Sequence, residues 1–226
     1  MEIFSKYLVT KKIKIMKKLF IAFLLIKSLS INAQIYDRYN NTNYRQETNA
    51  YFKDIYNFQN QFEGTWIYQN GQERFEIKFR KREMVSKEEG TNHYYEDVLV
   101  GEYKYIDVAG VVKVNSIANL TIDYASIFDY NLYSGHKKRN NSDPICTDCP
   151  VGTERLYVFF DEQGNDDFGL RAALIIRRVV ENGVEKIIAQ LENVSNASNE
   201  NKADLDQPSV FIAFSVPYGF YTLIKQ

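Results

Sequence analysis

The chain predicts an all-β, antiparallel domain of about ten strands, closed into a barrel or, alternatively, folded as a two-sheet β-sandwich. Three observations carry that expectation. Phe75, Ile77 and Phe79 alternate with Glu76, Lys78 and Arg80, the period of a strand with one wet face. Val, Ile, Tyr and Phe dominate the later apolar runs, as half-buried pleated positions favour. Asn-Gly recurs between such runs, at Asn70-Gly71 and Asn182-Gly183, where a hairpin turn wants residues that accept positive φ.

Residues 1–33 read as an export signal. Met16-Lys17-Lys18 is a basic start, Leu19 to Ile26 an apolar run too short to span a bilayer, and Ser28 to Ala33 a small and polar cleavage region. Met16 is an alternative start, and cleavage is expected before Gln34. Losing the seven lysines and one glutamate of 1–33 takes the formal charge from −1 to −7. An acidic chain of that kind argues against nucleic-acid partners. No later run is long enough for a membrane helix. The expected location is periplasmic or extracellular.

Residues 34–57 are rich in Asn, Tyr and Gln and read as a flexible mature N-terminus. Residues 58–226 read as a single β domain. A short helical turn packs Phe58 and Phe62 onto it. Gly64 onward is strand, with a type I′ turn at Asn70-Gly71. Val98 to Ile106 and Val111 to Ile117 flank Ala109-Gly110; Ala173 to Val180 and Val184 to Leu191 flank Asn182-Gly183. Leu156 to Phe160, Val210 to Val216 and Phe220 to Lys225 are further strands. Tyr133 to Thr153 and Asn193 to Pro208 are polar, Asn/Asp/Pro-rich and read as exposed loops.

Chemistry is sparse. Cys146-Thr147-Asp148-Cys149 lies between Pro144 and Pro150 without the helix that a thioredoxin-type site needs. Zinc would need about four ligands, and only the distant His93 and His136 could join the two thiols. A Cys146–Cys149 disulfide is the expectation for an exported chain. It would contribute about 2 kcal/mol, since the closed loop is tiny. Asp161, Asp166 and Asp167 around Gly164 are weak calcium candidates, but the spacing is not that of an EF-hand, and a hairpin turn explains the same residues. Glu96 and Asp97 are adjacent on a strand and point to opposite faces, so they cannot form a dyad. Nucleophile elbows, phosphate loops and zinc-protease motifs do not occur. No catalytic residue and no cofactor are expected.

Gly64-Thr65-Trp66, behind a short helical turn and heading a β run, resembles the first-strand motif of lipocalin-type barrels. The resemblance implies that Trp66 packs across the closed end and that a basic residue of the last strand, Lys225, covers it. "TIDY", Thr121 to Tyr124, departs from that family's second motif by one extra residue. Over most of its length the chain is similar to a family of small secreted Bacteroidetes proteins that pair a Lys-Lys signal with an early Gly-Thr-Trp hairpin and a "TLIKQ"-like end. That resemblance carries no known activity.

Seventeen Tyr and fifteen Phe remain. Inside a barrel they would line an apolar cavity; on a sheet face they would form a stacking platform for sugars or a protein interface; as plain core they need no ligand. The leading expectation is a secreted non-enzymatic binding protein with a small apolar ligand in the barrel. The alternative is an extracellular interaction module for protein or carbohydrate, without a cavity.

Overall fold

Period-two alternation is realised as strands almost throughout the computed structural model, which describes residues 34–42, 44–164, 170–194 and 213–226. The expected signal, 1–33, lies outside them. Eleven strands occur among the described residues: β1 Ile35–Asp37, β2 Tyr51–Lys53, β3 Gly64–Asn70, β4 Glu73–Glu89, β5 Asn92–Ile106, β6 Val112–Asn115, β7 Leu132–Arg139, β8 Glu154–Phe160, β9 Ala172–Glu181, β10 Val184–Asn193 and β11 Gly219–Lys225. The only helical elements described are 3-10 turns at Phe58–Phe62, Ile117–Thr121 and Ile127–Asp129.

Eight strands close on themselves in the order β5-β4-β3-β11-β10-β9-β8-β7, and Val100↔Tyr133 with Gly101↔Leu132 seals β5 to β7. All pairs in this ring are antiparallel, so the fold is the barrel rather than the sandwich. Closure removes the free sheet edges that would otherwise invite aggregation.

Inward positions follow the alternation. Phe75, Ile77 and Phe79 of β4 meet Leu99, Tyr103 and Tyr105 of β5, Leu156, Val158 and Phe160 of β8, and Tyr221 and Leu223 of β11 in one buried cluster. Rings from different strands touch: Phe75 lies 5.8 Å from Tyr103 and 5.2 Å from Tyr221, and Tyr103 stacks on Phe160 at 4.8 Å. The barrel interior is therefore occupied by its own aromatic side chains. A second cluster sits outside the wall, where Val85, Val98 and Val100 are covered by Leu120, Ile127 and Tyr130 of the long β6–β7 connection.

The structure corrects several local expectations. Asn70 is the last residue of β3, opposite Glu73, so the first hairpin turns on Gly71-Gln72. Only Gly71 has positive φ (60°), the first-position glycine of a two-residue turn rather than the type I′ pair expected. Asn182-Gly183 does form that pair, with φ 53° and 79°. β4 runs far beyond its alternating start. Two residues, Glu83 and Met84, oppose Asp97 in a bulge, and the chain then continues to a hairpin at Gly90-Thr91. Residues 213–216 of the strand expected at Val210 to Val216 are not in a strand, and 210–212 lie outside the described residues. The loop expected at Tyr133 to Thr153 begins with β7.

The largest correction concerns residues 34–57. Read as a flexible tail, they carry β1 and β2, which extend the sheet in parallel from β5. Phe52 is buried with Ala50 and Tyr94, with Tyr36 and Tyr44 packed against them. The polar text conceals these anchors because the segment's partners lie far along the chain: Arg38 reaches Glu96 and Tyr51 reaches Asp97.

Candidate functional site: an aromatic groove outside the barrel

The end of the barrel bearing Trp66 is closed. Trp66 points inward, fully buried, and its indole N–H donates to the carbonyl of Phe62 in the preceding 3-10 turn at 2.7 Å. Lys225 pairs with it across β3 and β11, and its ammonium lies 5.4 Å from the centre of the indole. The ammonium also donates to Glu185 Oε2 at 2.9 Å, beside Arg178 at 3.2 Å. These two donors hold the Glu185 carboxyl below its usual range. A depressed carboxyl stabilises above its unfolded value, and the contribution is lost as pH falls through the lowered, folded value. Acidification below the ordinary carboxyl range is therefore expected to free Lys225 and change the emission of the single tryptophan, and Glu185→Gln to remove that transition. An identical acid profile in the variant would show that the pair does not govern this end.

Charge is buried nearby. Lys81 Nζ lies 3.6 Å from Asp54 and 3.8 Å from Asp97, and all three side chains are almost fully buried. Asp54 accepts the backbone N–H groups of Phe58 and Gln59, so it holds the 3-10 turn against the barrel. Asp97 accepts from Asp54 N, from Tyr51 Oη and from Met84 N in the bulge. Glu96 faces the other way, to Arg38 and the Tyr44 hydroxyl. The opposite-face expectation for Glu96 and Asp97 holds. Each carboxylate is engaged as a fastener for the N-terminal segment.

The aromatic groove lies on the outer face of β7 and β8. Tyr133 and Phe159 are register partners and stack at 4.7 Å. Tyr157 meets Phe159 edge-on at 5.1 Å, and His136 stacks on Tyr157 at 4.8 Å. Phe128, largely exposed, stands edge-on to Tyr133 at 5.3 Å and forms a wall. Gly135 is what permits the packing: a Cβ there would sit 3.0 Å from the Phe159 ring and 3.2 Å from that of Tyr157. Burial pushes the Tyr133 phenol up to about 12, so it stays a hydrogen-bond donor at neutral pH. Desolvation, with Lys138 adding to it, lowers His136, which favours its neutral form.

Two depressions run together across this surface. One, of about 500 Å³, is lined by Phe128, Tyr133, Tyr157, Phe159, Asp161 and Arg171 among others. The other, of about 280 Å³, shares Phe128, Tyr133 and Phe159 and ends at Arg45, Lys87, Glu88 and Glu89. The two share these aromatic residues, and each is bordered by charged residues, Asp161 and Arg171 in one and Arg45, Lys87, Glu88 and Glu89 in the other. Volumes of this order suit a small molecule or a short oligomer.

The remaining expected site residues fall as follows. Cys146 and Cys149 form a disulfide. Their loop is also gathered by Arg155, whose Nη2 donates to the carbonyls of Arg139, Ser142 and Pro144. His93 contacts Ser86 on the adjacent strand. Of the calcium candidates, Asp161 lines the groove and accepts from Glu162 N, while Asp166 and Asp167 lie outside the described residues. Sequence reasoning missed the groove itself. The available signal was the pair Tyr157 and Phe159, two outward aromatics on a strand whose other face is apolar.

Fold and site together define an antiparallel eight-stranded β-barrel protein with an aromatic groove on its outer wall. The chain belongs to the family described as Family of unknown function (DUF6705), whose match covers residues 16–226. No curated protein and no solved structure matches it. No helix among the described residues is long and apolar enough to cross a membrane.

Proposed function

We propose that this protein is an exported, non-catalytic binding module of lipocalin-like barrel type that takes a short saccharide chain in the groove outside the barrel. The observation that carries the reading is a division of the aromatic residues. Those pointing inward pack against one another, while Phe128, Tyr133, Tyr157 and Phe159 gather around an open trough. A packed interior counts against an apolar ligand inside the barrel. A sugar offers apolar C–H faces for aromatic contact and hydroxyls for a polar fringe, the combination that this trough presents. Among the buried carboxylates, Asp54, Asp97 and Glu96 are committed to Lys81 and Arg38, which supports a non-catalytic role for these three. The Cys146–Cys149 disulfide suits an oxidising compartment.

Screening an oligosaccharide array, then titrating the retained sugar against Phe159→Ala, tests this. Phe159 is partly exposed, so its truncation spares the core. The expected loss is about tenfold in affinity, near 1.4 kcal/mol. Unchanged affinity in the variant, or retention of a protein partner but no sugar, would overturn the reading.

A further inference from the structure

We infer that the groove selects acidic saccharides, with Lys87 and Arg45 receiving a uronate carboxylate at its charged end; this rests on the saccharide reading above. The argument starts from Lys87. Its side chain is 9% exposed, yet among the described residues its ammonium makes no hydrogen bond. The nearest carboxylate oxygen, Glu96 Oε1, is 3.9 Å away, and its other neighbour is the ring of Phe128, 4.3 Å to the centroid. An ammonium carries three donors, and those of Lys87 are left to solvent rather than to a protein acceptor. Desolvation lowers the Lys87 pKa, with Glu96 opposing that shift.

Arg45 reaches the same end, its side chain 37% exposed and its guanidinium 4.9 Å over the Tyr44 ring. It stands 3.6 Å from Glu89 and 4.0 Å from Glu96, both beyond hydrogen-bond distance, and its Nε is buried without a partner. Two cations with no carboxylate within hydrogen-bond distance thus border the aromatic residues of the groove. Carboxylates are present as well, but none completes them. Glu96 holds Arg38 and Tyr44 through Oε2, while its Oε1, buried without a hydrogen bond, faces Lys87 at 3.9 Å and Arg45 at 4.0 Å; Glu89 is 57% exposed. Glu88 also lines this end.

The chemistry of a uronate matches that layout. Its carboxylate projects from the edge of the sugar ring. A ring lying against Tyr133 and Phe159 directs the anion sideways, toward Lys87 and Arg45. A carboxylate there would replace solvent with charge-assisted hydrogen bonds to both cations. The acidic balance of the chain gives no long-range attraction for a polyanion, so selectivity is expected from this local pairing rather than from steering.

Calorimetric titration of the purified protein with trigalacturonate and with a neutral trisaccharide tests the inference. The acidic trimer is expected to bind about tenfold tighter or more, and Lys87→Met to bring it down to the level of the neutral one. Arg45→Gln, at a more exposed site, should act in the same direction. Lys87→Met keeps the stem volume but removes a cation 3.9 Å from the buried Glu96, so a cooperative melting transition with the wild-type circular dichroism spectrum is what separates lost binding from lost folding. Equal affinities for the two trimers, or a preference kept by both variants, would overturn the acidic selectivity. If Phe159→Ala then still weakens both sugars, the saccharide reading stands without it. If neither trimer binds the wild-type protein, both fall.

Discussion

Trp66→Ala is expected to destabilise the barrel by about 3–5 kcal/mol, the usual loss for truncating a buried large aromatic. The indole plugs the barrel between the Phe58–Phe62 turn and the last strand, and it alone satisfies the Phe62 carbonyl from below through its N–H. Truncation removes the ring, the hydrogen bond and the surface over which Lys225 lies. Trp66→Phe should cost less, since it keeps an aromatic ring but no donor. Chemical denaturation with circular dichroism reads both. Because Trp66 takes no part in lining the outer groove, a folded Trp66→Phe variant should bind sugar as the wild type does. A denaturation midpoint unmoved by Trp66→Ala would show that the closed end does not depend on this plug.

Arg38→Ala is expected to cost a comparable amount, about 3–5 kcal/mol, because it strands a buried carboxylate. Arg38 and Glu96 are each 1% exposed, and their ion pair spans 3.3 Å. The same guanidinium donates to the Tyr39 hydroxyl and to the Ser134 carbonyl, so it ties β1 to both β5 and β7. Without it, Glu96 keeps the Tyr44 hydroxyl and two cations at 3.9–4.0 Å. The loss should concentrate in residues 35–57, visible as faster proteolysis there before the barrel itself unfolds. Replacing both partners, Arg38→Met with Glu96→Met, should recover much of the stability, since an apolar pair leaves no buried charge. If the double variant is no better than Arg38→Ala alone, the deficit lies in the Tyr39 and Ser134 bonds instead.

The charge pairs explain why residues 34–57 were misread. Composition reports whether a segment can bury enough apolar surface to fold by itself, and by that measure this one cannot. Its order comes from Tyr51, Asp54 and Arg38 meeting Asp97, Lys81 and Glu96, more than forty residues later in three of the bonds. Nothing in the local text marks those partners.

β7 fails for a related reason. Gly135 and the basic run Lys137-Lys138-Arg139, with a register shift between Ser134 and Lys137, mask the alternation that Leu132 and Ser134 begin on the inner face. The strand that carries Tyr133, and hence half of the groove floor, therefore looked like a loop.

What the sequence by itself determined is local: the all-β class, most strands, the Asn182-Gly183 hairpin and the Cys146–Cys149 bond. These depend on alternation, turn chemistry and short separations, which one segment encodes alone. The tertiary structure decided the bulge at Glu83-Met84, the docking of β1 and β2, the filled interior and the groove. Each requires side chains distant in sequence to be brought together, and register across a closed ring is set by the mutual fit of all its strands rather than by any one of them.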